Sequence, residues 1–127
     1  MPNRWKNSPP QLIERFGTAL PSDERVERRS MFGYPCAFVN GNMFCGLHED
    51  RLIVRLAEPE RARLLEEPGA RQFEPFPGRR MTEYVVVPDP LANPSLQRWL
   101  SRAFKYAASL PPKPARRPAK RRRSSTD

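Results

Sequence analysis

Histidine and cysteine are nearly absent from this chain: one histidine and two cysteines occur in 127 residues. Zinc sites usually need four N, S or O ligands. The single His48 has no CxxC or HxxxH partner, which argues against that chemistry. No glycine-rich phosphate loop, HExxH, GxSxG or paired-carboxylate pattern is present, so the sequence gives an enzyme no recognisable centre. No apolar run approaches the ~18 residues that read as a membrane span. The opening stretch MPNRWKNSPPQ lacks the apolar h-region of a secretory signal. These absences lead to the expectation of a cytoplasmic, membrane-free protein with reduced thiols.

Basic charge is present in excess, and it is unevenly spread. The segment PPKPARRPAKRRRSSTD, residues 111–127, carries seven Lys/Arg against one Asp, a net +6 of the chain's +9, which leaves +3 for residues 1–110. A Pro/Arg/Lys segment has no apolar face to bury and is expected to be extended and disordered. Lys113, Arg116, Arg117, Lys120, Arg121, Arg122 and Arg123 can each displace condensed counterions from a polyphosphate. Nucleic acid is therefore the expected partner of this segment, bound with little sequence information. The organisation read from composition is a short lead over residues 1–8, one domain over 9–110 and the basic segment over 111–127.

Within the domain, Ser8-Pro9-Pro10 reads as a cap and first turn ahead of Leu12, Ile13, Phe16 and Leu20 at helical spacing, closed by Pro21. From Met31 the period becomes strand-like. Asn40-Gly41 forms a hairpin signal between YPCAFV and NMFCGL, and His48-Glu49-Asp50 marks a second reversal before RLIVRL. Residues 31–56 thus read as a three-stranded meander, with His48 solvated in its turn. PERARLLEE reads as a short helix, RQFEPF as an edge strand limited by Pro75, and MTEYVVV as a strand. Leu96, Trp99, Leu100, Ala103, Phe104 and Ala107 form the stripe of a last helix behind Asn93-Pro94. The fold class expected is α+β, with helices packed on a mainly antiparallel sheet.

A two-residue turn at Asn40-Gly41 sets Cys36 opposite Cys45, with Cys36, Phe38, Met43, Cys45 and Leu47 sharing the more apolar face. A strained disulfide fits that register. In a reducing compartment the favoured reading is two core thiols, against a disulfide or redox couple as the alternative. A thiol-based enzyme is disfavoured because the expected neighbours are apolar rather than basic. Candidate contacts for a protein partner are Met31, Phe32, Gly33 and Tyr34, a bulky apolar stretch before Pro35, and Arg79 and Arg80 in the PGRR turn. Catalytic residues, metal ligands and cofactors are not expected.

Met31-Phe32-Gly33-Tyr34, Ala37 to Phe44, Leu52-Ile53-Val54-Arg55, Gly69-Ala70, Phe73-Glu74-Pro75-Phe76 and Met81 to Pro88 together resemble the N-terminal domain of the TfoX/Sxy competence-regulator family. The resemblance covers roughly residues 9–110. It implies an α-β(3)-α-β(2)-α arrangement similar to type III secretion chaperones, a bacterial regulatory, competence-associated role and homodimerisation. The expectation is a stand-alone form without the family's C-terminal helical domain. A chaperone-like, peptide-binding dimer is the alternative that the fold resemblance suggests.

Overall fold

In the computed structural model, residues 7–76 and 78–113 are described; the side chains of Phe76 and Arg79 are not. Nine elements follow one another: α1 (Pro10–Ala19), β1 (Glu27–Met31), β2 (Tyr34–Val39), β3 (Asn42–His48), β4 (Arg51–Arg55), α2 (Glu58–Leu65), β5 (Arg71–Phe76), β6 (Arg79–Val87) and α3 (Leu96–Ser109). The strands form one antiparallel sheet in the order β1-β2-β3-β4-β6-β5. The class is therefore α+β, and the sheet has one strand more than the α-β(3)-α-β(2)-α order. The additional strand is β1, with the sequence ERRSM. Its side chains are mostly exposed and show no apolar alternation; pairing with β2 alone makes it a strand.

The helices cover one face of the sheet. Prolines fix φ near helical values in the first turns of α1 and α2, where the missing N–H removes no internal bond. The α1 cap is Pro9 rather than Ser8; the Ser8 hydroxyl donates instead to the Glu49 carbonyl at 2.6 Å, tying the helix start to the β3–β4 turn. Asn93 acts just ahead of α3, where its side-chain oxygen accepts from the Ser95 amide at 2.9 Å and its amide group donates to the Pro88 carbonyl at 3.0 Å. All six residues of the expected α3 stripe are buried. They pack on Ala37, Val39, Phe44, Leu52, Val54, Val85 and Val87, and Phe44 meets Phe104 edge-on with centroids 5.5 Å apart.

The β2–β3 hairpin departs from the simple register. Val39 pairs with Asn42 and Phe38 with Met43, as a two-residue turn requires, but an irregularity between Ala37 and Phe38 then sets Ala37 opposite Cys45 and Cys36 opposite Gly46. A bulge adds one residue to one strand and so reverses the facing of everything beyond it. Cys45 consequently lies in the helix-covered core, while Cys36 lines the opposite face. Both cysteines are buried and free, so the expected Cys36–Cys45 pairing and shared face are replaced by two thiols on two faces. Burial pushes both thiols above their ordinary pKa, Cys45 strongly so.

The chain beyond α3 is strapped back onto this hairpin. The Lys113 amide donates to the Asn40 carbonyl at 2.8 Å. Buried Asn42 donates through its side chain to the Pro111 carbonyl at 3.2 Å and to the Ala107 carbonyl at 3.5 Å. Gly41 makes room for this strap: its φ is +80°, and a Cβ there would overlap the Lys113 carbonyl oxygen.

Candidate functional site

Met31, Phe32 and Tyr34, expected as partner contacts, lie at the sheet face that carries no helix among the described residues. The β1–β2 connection is a tight turn in which both Phe32 (φ +55°) and Gly33 (φ +84°) take left-handed backbone conformations. Glycine tolerates that region, whereas a phenylalanine there is strained. Phe32 is 78% exposed and Met31 is 39% exposed, while Tyr34 is buried at the start of β2. The structure thus brings Met31, Phe32 and Tyr34 together around one hollow and leaves Gly33 to shape the turn. Arg80 is exposed and Arg79 pairs through its backbone with Phe76 in the β5–β6 hairpin. Arg80 is not among the described residues that line the hollow.

The hollow has a volume of ≈ 320 Å³. Its floor comes from Cys36, Met43, Leu47, His48 and Ile53 on β2, β3 and β4, and its far side from Phe73, Pro75 and Met81 on β5 and β6. Gly46 lies beneath: a Cβ at that position would press on the Cys36 Cβ and the Met43 methyl, each at 3.1 Å. The missing side chain lets those two groups close over β3.

His48 is buried rather than solvated, in contrast to the expectation for a charged turn. Its ring packs against Tyr34 (centroids 5.4 Å) and edge-on to Phe73 (5.2 Å), and Arg51 donates to its Nδ1 at 3.0 Å. Burial, with the neighbouring Arg51 charge, lowers its pKa against the opposing pull of Glu49. Burial raises the Tyr34 hydroxyl. Tyr34, Cys36 and His48, the titratable residues of the lining, are thereby biased toward their uncharged forms.

On the helix side a polar cluster clamps α3 to the sheet. Arg55 contacts Glu83 at 2.7 Å and Tyr106 donates to the other Glu83 oxygen at 3.1 Å. Burial acts to raise the Glu83 carboxyl, but the Arg55 hydrogen bond and charge outweigh it and the net shift is downward. The cluster is internally satisfied, as a structural clamp should be.

Of the basic segment, Lys113 is exposed at the end of the strap; Arg116, Arg117, Lys120, Arg121, Arg122 and Arg123 lie outside the described residues. Among the described residues no group of three or more His, Cys, Asp or Glu side chains could hold a metal ion, and no helix is long and apolar enough to cross a membrane. Sequence reasoning missed His48, Met43, Ile53 and Phe73 as parts of one hollow. Their only signal was the alternate apolar positions left over once one strand face had been assigned to the core.

Neither the curated proteins nor the solved structures give a significant match to the chain. The family model of the TfoX N-terminal domain, in contrast, matches residues 19–107, from the end of α1 through the whole sheet to the last turns of α3. Because that match takes in the hairpin turn at Phe32-Gly33, the hollowed face and the stripe of α3 together, this chain belongs to the TfoX N-terminal domain family.

Proposed function

We propose that this chain is a non-enzymatic, cytoplasmic regulatory module of competence-regulator type, whose domain engages a protein partner or its own copy while the basic segment holds nucleic acid non-specifically. Membership of the TfoX N-terminal domain family supports the regulatory part. The observation that carries the nucleic-acid part is the strap: Lys113 is pinned to Asn40, so the net +6 segment starts from a fixed point at the end of the β2–β3 hairpin. A cationic chain anchored at one end keeps its charges close to the domain, so phosphate binding would recruit the domain with it. The thiols speak against a thiol-based enzyme: both are buried and burial pushes their pKa values up, the opposite of an activated nucleophile.

The test is fluorescence-anisotropy titration of duplex DNA across several salt concentrations. It compares the full chain with a full-length variant in which Arg116, Arg117, Lys120, Arg121, Arg122 and Arg123 are glutamine. The reading predicts binding by the unmodified chain with a log–log salt slope of up to about −6 for seven phosphate contacts, and near-complete loss in the variant. Equal binding by both proteins, or none by either at physiological salt, overturns it.

A peptide-capturing dimer is the second reading, favoured by the open sheet face. The sheet edges speak against capture by strand addition. β1 is five residues long and carries Arg28 and Arg29, and β5 contains Pro75, both devices that discourage pairing.

A further inference from the structure

The sheet face opposite the described helices holds a hollow: Met31 and Phe32 form one rim and Pro75 and Met81 the other, with about 320 Å³ between them. That volume lies at the lower end of the range for small-ligand pockets, ~300–1,000 Å³. We propose that this hollow binds a small, uncharged, ring-bearing apolar molecule.

Three observations select that chemistry. First, among the described residues the lining contains no Asp, Glu, Lys or Arg, and burial biases Tyr34, Cys36 and His48 toward neutrality. A charged ligand would lose its hydration shell without gaining a counter-charge. Arg29, the nearest influence of opposite character on Cys36, is engaged over the Phe38 ring at 4.4 Å. Second, three of the chain's four methionines, Met31, Met43 and Met81, face the hollow together with Phe32, Tyr34 and Phe73. Polarizable thioethers repack around irregular shapes and contact aromatic rings favourably, so this lining suits a ring more than a linear chain. Third, Phe32 brings an exposed aromatic ring to the rim, in a left-handed turn conformation where Asn or Gly is the ordinary residue.

The site goes beyond the nucleic-acid reading and does not depend on it. The strap lies at the Asn40 end of β2 on the helix side, whereas the hollow opens at the Phe32 end on the other face. Failure of either reading leaves the other intact.

The test uses the full chain labelled with 13C at the methionine methyls and titrated with 1-naphthol, with 1-naphthalenesulfonate as its charged counterpart. The expected result is a saturable shift of the Met31, Met43 and Met81 signals by 1-naphthol, with at least tenfold weaker binding of the sulfonate. Phe32→Asn should weaken 1-naphthol binding severalfold while leaving the melting temperature unchanged or higher, and Met81→Glu at the opposite rim should also weaken it. The absence of saturable shifts, equal affinity for the two probes, or variants that bind like the parent chain overturns the proposal. So does a concentration-dependent dimer that excludes 1-naphthol and is lost in Phe32→Asn, because the hollow would then be an interface between copies.

Discussion

The two faces of the single sheet are built from the same strands, yet they end in different states. On one face Phe44, Leu52, Val54 and Val85 are sealed in the cluster they form with the helices, none of them accessible to solvent. On the other, Ile53, Phe73 and Val86 form a small cluster with no helix over it, flanked by partly exposed Met31, Met81 and Phe32. Alternation along a strand makes both faces apolar when both carry Val, Ile, Phe and Met; what covers each face decides which becomes core. The helix-covered face holds the larger core, and the hollowed face is the one we propose for binding.

The sharpest way to break this contrast is to truncate neighbouring residues on opposite faces. Phe44→Ala removes a sealed aromatic and its edge-on contact with Phe104, and should lower unfolding free energy by about 3–5 kcal/mol. Met43→Ala, one residue earlier on the hollowed face, should lower it by only about 1 kcal/mol, because half-buried atoms lose less on truncation. Urea denaturation of the two variants measures both, and equal losses would erase the distinction between the faces.

The strap allows a second comparison, between an intact hairpin end and one with an added methyl group. Gly41→Ala combines a left-handed backbone with an overlap on the Lys113 carbonyl and should cost about 1–3 kcal/mol. It should also raise hydrogen-exchange rates at the Lys113 amide, which otherwise bonds to Asn40. Unchanged protection of that amide would mean that the strap does not depend on the glycine.

How much of this was legible in the sequence depends on how local each determinant is. The stripe of α3 was readable because all its members recur within one helix, and the Asn40-Gly41 turn because two residues define it. β1 was not, since ERRSM has no alternation and becomes a strand only through β2. The bulge between Ala37 and Phe38 was equally hidden. It carries Cys45 into the core and leaves Cys36 on the other face, and no periodicity marks the position. His48 looked solvated because its neighbours in sequence are charged, while its neighbours in space are Tyr34 and Phe73, contributed by β2 and β5. The hollow draws on all six strands, so a linear pattern could show only that spare apolar positions existed.

The smallest expected effect is on pH dependence. Buried beside Arg51, with Glu49 as the opposing charge and Tyr34 and Phe73 against its ring, His48 is harder to protonate in the folded state than in the unfolded chain. As pH falls below ~6.5 the unfolded state takes up that proton first, so stability is full above this pH and declines below it. His48→Phe should flatten the decline between pH 7 and pH 5 in thermal melts. A slope unchanged by the substitution would assign the acid sensitivity to other groups.

The contrast between the faces is tested most directly by its two thiols. Native-state alkylation with iodoacetamide, followed peptide by peptide by mass spectrometry, reads access to each face separately. Cys36 should react well before Cys45, through fluctuations of the hollow alone, and Cys45 only as fast as the whole domain unfolds. Equal rates for the two cysteines, or earlier labelling of Cys45, would contradict the division of this sheet into a core face and a binding face.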